Sequence, residues 1–142
     1  MRWDWQTGFV FLCLLLWSVE DMRSQRILLG PVLAVIAGGI AGRIGSGSLL
    51  MWDTLAGAAA GILFWGFSCL TGERMGKGDA LVILCLGLYL GFRVTLAVLL
   101  FALLLSSCAA LYLLLVKKKA AQTAIPFIPF LTGGLICLMA VR

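Results

Sequence analysis

Residues 80–116 read ALVILCLGLYLGFRVTLAVLLFALLLSSCAALYLLLV, a nearly continuous apolar stretch interrupted only at Gly91, Phe92 and Arg93. A hydrocarbon core about 30 Å thick accommodates such a stretch, at about 20 residues per helical crossing. The segment reads either as two helices that part near Arg93 or as one long helix carrying a buried cation in need of a partner. Two helices leave Arg93 in an external loop, which costs less, and that division is expected.

Working outward, the apolar runs are Trp5 to Val19, Ile27 to Ile44, Leu49 to Leu70, Ala80 to Arg93, Val94 to Val116 and Ile125 to Val141. The expected fold is an all-α integral membrane protein, with about six transmembrane helices in one bundle and a single domain over 1–142. Composition agrees: 63% of the residues are hydrophobic, 12% are charged, and the mean hydropathy is +1.12. A soluble domain has about 45–50% and about 25%. With six spans in 142 residues, no length remains for a separate soluble domain. Arg2 followed by an apolar run has the outline of a secretory signal, but Asp4 offsets Arg2, and Ser18, Val19 and Glu20 offer no small-x-small cleavage site. The first helix is therefore expected to stay in place.

The net charge is +5, with the cations placed singly or in threes between apolar runs. That placement reads as topology, not as nucleic-acid binding. In the six-helix reading, loops one, three and five carry Arg23, Arg26, Arg74, Lys77, Lys117, Lys118 and Lys119, while the other face carries Arg2, Arg43, Arg93 and Arg142. The basic side faces the cytoplasm, so both termini are expected on the non-cytoplasmic side. Lys117, Lys118 and Lys119 form an anchor suited to anionic lipid headgroups. Five scattered cysteines with no CxxC pair, and no histidine, argue against a metal centre. Gly38 and Gly42, Gly57 and Gly61, and Gly87 and Gly91 recur at the four-residue spacing that lets helix backbones approach in lipid. Pro31 falls in the first turn of the second helix, where its missing N–H costs little.

Six acidic residues exist, Asp4, Glu20, Asp21, Asp53, Glu73 and Asp79. Helix parity puts Glu20, Asp21, Glu73 and Asp79 at the cytoplasmic ends, with Asp4 and Asp53 at the opposite face. Asp53, beside Trp52 and after the Gly45-Ser46-Gly47-Ser48 turn, reads as an interfacial residue near the start of the third helix. Asp21 ends the first helix and Asp79 opens the fourth inside Gly76-Lys77-Gly78-Asp79, so two carboxylates 58 residues apart reach one membrane face. Carboxylates at close range do not both ionise, and such a pair can activate water against a peptide carbonyl. Gly76 and Gly78 would admit a substrate backbone or a neighbouring helix. The plainer reading makes each aspartate a solvated helix-end charge beside Arg23, Arg26 or Lys77.

Taken together, three segments resemble the prepilin peptidases, or type IV leader peptidases, which belong to the GxGD class of intramembrane aspartic proteases. Asp21-Met22-Arg23-Ser24-Gln25-Arg26-Ile27 is similar to the family's aspartate, basic loop and isoleucine, with Leu28 where proline is usual. Gly76-Lys77-Gly78-Asp79 is similar to its GxGD element, with Leu81 where lysine is frequent. Ile125-Pro126-Phe127-Ile128-Pro129-Phe130 resembles the segment that opens its last helix, with Ile128 replacing glycine. The two prolines also suit a helix start on their own account.

The resemblance implies an aspartic endopeptidase of a prokaryotic plasma membrane. It would cleave leaders from prepilin or pseudopilin precursors at the cytoplasmic face. Asp21 and Asp79 would be its catalytic pair, supported by Gly76, Gly78, Pro126, Phe127 and Pro129, with no cofactor and no metal. Larger members also N-methylate the new N-terminus and carry a cysteine-rich cytoplasmic region in the first loop. Here Asp21 to Ile27 carries no insertion, which implies cleavage without methylation. Two other classes of function fit the same acids: a small proton- or cation-coupled transporter, and a non-catalytic assembly factor of a pilus or secretion system. Transporter sites tend to lie near the bilayer midplane, whereas both acids here fall at helix ends.

Overall fold

A computed structural model describes residues 5–24, 29–47, 52–70, 77–115 and 126–141. Among them are six α-helices and no strand: α1 (Trp5–Ser24), α2 (Leu29–Gly45), α3 (Trp52–Leu70), α4 (Lys77–Leu90), α5 (Phe92–Leu115) and α6 (Ile128–Val141). Gly76 and the cations at Arg26, Arg74 and 117–119 lie outside the described residues. α3 and α5 are long and apolar enough to cross a membrane, while α2, α4 and α6 are shorter apolar helices. α1 matches α3 in length but carries Glu20, Asp21 and Arg23 near its end.

The expected break near Arg93 is present. It consists of one residue, Gly91, which lies outside both helices with φ 80. L side chains rarely adopt that conformation, and glycine adopts it without penalty. Arg93 is not in the expected loop but in the first turn of α5, because Gly91 alone makes the break; its side chain is exposed, so no cation is buried there. α1 runs one turn further than its apolar stretch, which places Asp21 inside the helix instead of at its close. Asp21 is buried in that added turn, and its carboxylate accepts a hydrogen bond from α6.

α4 is the central helix and packs against α1, α2, α3 and α5. Its buried residues, among them Val82, Ile83, Cys85, Leu86 and Leu88, point in all directions, as a helix enclosed on every side requires. The closest approach is between α3 and α4. A Cβ on Gly57 would stand 2.6 Å from the Gly87 carbonyl oxygen, and one on Gly61 would stand 2.5 Å from Leu84 Cα. The glycine spacings on α3 and at Gly87 thus serve backbone contact, as expected.

The α2 pair behaves otherwise. Gly42 meets nothing, and the close contact passes to Gly39, whose Cβ would lie 2.7 Å from the Tyr89 ring. Tyr89 occupies that notch and donates its hydroxyl to the Val35 carbonyl at 3.1 Å, which selects Gly39 over its neighbours. α6 closes the bundle against α1 and α5, with Leu14, Leu131 and Leu135 fully buried between helices. Large apolar side chains on the outside, including Trp52, Leu63, Leu70, Leu104 and Leu115, are exposed. Apolar surface of that extent marks contact with a membrane or another protein.

Gly57→Ala and Gly87→Ala are expected to cost about 1–3 kcal/mol each through overpacking, seen as a lower thermal unfolding midpoint in detergent micelles. Gly42→Ala, which faces open space, should leave the midpoint level or raise it through helix propensity. Equal effects at the three positions would contradict this packing.

Candidate active site

The end of the bundle that matters is built by three helix termini: the C-terminal turn of α1 and the N-terminal turns of α4 and α6. α1 and α6 run antiparallel, with Leu14, Leu131 and Leu135 in the core between them. Thr132 adds a polar tie. Its hydroxyl lies 3.4 Å from the Leu14 carbonyl and 3.1 Å from the Ile128 carbonyl of its own helix. This register brings the last turn of α1 level with the first turn of α6.

At the start of α6, Pro126 and Pro129 have no N–H to give. The Phe127 carbonyl accepts from Phe130 N at 3.0 Å and Leu131 N at 3.2 Å, which winds the first turn. The Ile128 N–H is left pointing out of the helix, and it donates to Asp21 Oδ2 at 3.3 Å. Asp21 is only 6% exposed, so this bond meets part of the requirement that a buried carboxylate be hydrogen-bonded. The same position beside a helix N-terminus suits an acidic group.

Asp79 is in the first turn of α4, where a carboxylate is also favoured, and is half-buried beside the buried Ala80. α1 packs on α4, with Phe9 near the start of α1 against Tyr89 near the end of α4 at a ring-centroid distance of 5.7 Å, so the closing turn of α1 and the opening turn of α4 fall on the same side of the bundle. Two carboxyls that interact while partly withdrawn from water can divide the tasks of proton donor and acceptor. Gly78 is half-buried next to Asp79, and Pro126, Phe127 and Pro129 are half-buried around the Ile128 N–H. Gly76 lies outside the described residues. Among the described residues no group of three or more His, Cys, Asp or Glu side chains comes together as a metal site would require.

Sequence reasoning missed the Ile128 N–H. Ile128 registered as a departure from the family's glycine, yet the group in contact with Asp21 is a backbone atom that either residue supplies. The available signal was the proline spacing, since prolines at 126 and 129 narrow the free donors of that turn. The side chain of Ile128 is fully buried, and Leu81, the other described departure, packs at the edge of the core. Leu28 lies outside the described residues.

Comparison with known proteins adds a separate line of support. The chain is similar to the prepilin leader peptidase/N-methyltransferase of Aeromonas hydrophila, 33% identical over 114 residues, which cover 75% of this chain and 39% of the relative. The protein of that name from Aeromonas salmonicida shows the same identity and coverage. That from Pseudomonas putida is 36% identical over 85 residues, covering 56% of this chain and 30% of the relative. The chain thus spans well under half the length of these curated relatives. No solved structure matches it. The family model described as the type IV leader peptidase family matches residues 8–115, a range that holds Asp21 and Gly76 to Asp79 and stops before Pro126. With a match across most of its length, the chain belongs to the type IV leader peptidase family.

Proposed function

We propose that this protein is a membrane aspartic endopeptidase that removes the leader from type IV prepilin-like or pseudopilin precursors at the cytoplasmic face of a prokaryotic plasma membrane. The arrangement that supports the reading is that of the helix ends: Asp21 buried in the last turn of α1 against the α6 N-terminus, and Asp79 half-buried in the first turn of α4, which packs on α1 with Phe9 against Tyr89 at its far end. Membership of the leader peptidase family supports the substrate class.

In the proposed reaction a water molecule lies between the two carboxyls. One carboxylate takes a proton from the water as its oxygen attacks the scissile carbonyl, while the other, protonated, gives its proton to the carbonyl oxygen. The tetrahedral intermediate then collapses: the C–N bond breaks, the leaving amine takes a proton from the carboxyl that first acted as base, and one hydroxyl of the intermediate returns its proton to the other carboxylate, which forms the product carboxyl and restores the starting pair. No covalent adduct with the enzyme forms. In this assignment the Ile128 N–H holds the Asp21 side chain in a fixed rotamer, and Gly78 leaves room for substrate backbone beside Asp79.

The proposal includes six membrane spans with both termini on the non-cytoplasmic side. It also includes a peptidase without methyltransferase activity, since only the short segment Met22 to Gln25 separates Asp21 from Arg26 before the second apolar run. A periplasmic reporter such as alkaline phosphatase, fused after Arg142, is expected to be active; a fusion active only as a cytoplasmic reporter would overturn the topology.

Asparagine substitutions separate chemistry from capping. Asn at position 21 still accepts from the Ile128 N–H but cannot exchange a proton, and asparagine is about as good a helix cap as aspartate. Asp21→Asn and Asp79→Asn are each expected to lower cleavage of a prepilin-like precursor in membranes by about 10²–10⁴-fold at matched expression. Retained cleavage in Asp21→Asn would reduce Asp21 to a structural cap. Mass analysis of the product in the presence of a methyl donor should show an unmethylated N-terminus.

The backbone donor is testable by a pair of similar volume. Ile128→Val keeps the N–H and should cleave at a near-native rate. Ile128→Pro removes it at a helix position that tolerates proline, and should lower the rate about five- to tenfold, as for one hydrogen bond of about 1–1.5 kcal/mol. Equal rates in the two variants would show that the bond has no part in positioning Asp21.

A further inference from the structure

The end of the bundle opposite the two aspartates holds an arrangement that the proposed reaction does not use. Where α4 gives way to α5 at Gly91, the carbonyls of the closing turn and the N–H groups of the opening turn lose their helical partners. Inside or near hydrocarbon such groups must find other partners. Gly91 N donates to the Gly87 carbonyl at 3.1 Å, and Thr95 N donates to the Gly91 carbonyl at 3.1 Å.

Three more of these groups, the Leu88 and Tyr89 carbonyls and the Arg93 N–H, turn to the two preceding helices. Arg43, half-buried in the last turn of α2, donates from Nε to the Leu88 carbonyl at 3.0 Å and from Nη2 to the Tyr89 carbonyl at 2.9 Å. Asp53, in the first turn of α3, accepts from Arg93 N at 3.4 Å through Oδ1. Its other oxygen abuts Gly91 so closely that a Cβ there would collide with the carboxyl group. A cation thus sits at the negative end of α4 and an anion at the positive end of α5, the favourable sign at each.

Consecutive carbonyls on a helix stand about 100° apart around its axis. A planar guanidinium bonded to both therefore resists rotation of α4 as well as sliding along its axis, which one bond would not do. α4 has 14 residues, about 21 Å of helix, with Asp79 in its first turn. Rotation at one end of a helix that short reappears at the other.

We propose that Arg43, and more weakly the exposed Asp53, are positioning residues: by clamping the α4–α5 junction they set the rotation and depth of α4, and so the placement of Asp79 relative to Asp21. The catalytic consequence rests on the peptidase reading; the geometric one does not.

The experiment therefore has two arms. In a full-length variant with the five native cysteines replaced by serine or alanine, Asp21→Cys and Asp79→Cys are bridged with a short bifunctional thiol reagent. The rate is compared between Arg43, Arg43→Lys and Arg43→Gln. Arg43→Gln is expected to slow bridging about tenfold, with Arg43→Lys in between, since an ammonium lacks the planar fork. A bridging rate unchanged in both variants overturns the clamp, whatever the protein's activity.

In the second arm, with both aspartates intact and rates normalised to folded protein, Arg43→Gln should lower kcat for precursor cleavage about 10- to 100-fold, with KM within about twofold. Partial recovery in Arg43→Lys is expected, and Asp53→Asn should change kcat by about twofold or less because its side chain is exposed. Slower bridging with kcat unchanged would overturn the positioning role. A native chain that cuts no precursor would overturn the peptidase reading and leave bridging as the test of the clamp. If Arg43→Gln does not fold, Arg43→Lys carries both arms.

Discussion

The backbone contact between α3 and α4 is the constraint on which the other packing rests. At Gly57, Gly61 and Gly87 the two helices approach until no Cβ fits between them, and this draws α4 into the middle of the bundle. In a membrane, apolar side chains gain little by leaving lipid for one another, so association rests on close van der Waals contact and on polar groups finding partners. α4 uses both means. It meets α3 through bare backbone and α2 through the Tyr89 ring set over Gly39, with the Tyr89 hydroxyl bonded to Val35.

An enclosed, apolar α4 has consequences at its two ends. Its length falls short of α3 and α5, so its termini lie where polar groups of other helices can reach them. At the N-terminal end Asp79 opens the helix on the side where α1 closes. At the C-terminal end Arg43 takes the carbonyls of Leu88 and Tyr89. Among the described residues polar side chains thus gather at the two ends of α4, one with Asp79 and with Asp21 bonded to the Ile128 N–H, the other with a cation and an anion beside the break between helices. Burying Asp21 costs desolvation, which the Ile128 N–H helps to offset.

Asp79 and the proline segment are far apart along the chain, yet α4 and α6 both open at the pole where α1 closes. Prolines at 126 and 129 do more than start a helix: they limit which backbone donors remain, and one of those meets Asp21. Replacement of glycine by isoleucine at 128 is compatible with that contact because the donor is common to both, while the isoleucine side chain turns into the core.

Hydropathy and helix parity by themselves determined the helical class, a division somewhere within Gly91 to Arg93 and the expectation that Asp21 and Asp79 share one end, because these depend on segment length and alternation, which are local or additive along the chain. The glycines of α3 were legible for the same reason, as a spacing on one helix face. Tertiary structure alone decided which glycine of α2 makes contact, since Gly39 is chosen by the Tyr89 ring of another helix. It also decided the partners of Arg43, Asp53 and Asp21. Each of these side chains meets backbone atoms 40 to 107 residues away, at carbonyls and N–H groups that every residue but proline carries in full. Such groups leave no mark in residue type or spacing, so only the placement of one helix end beside another reveals them.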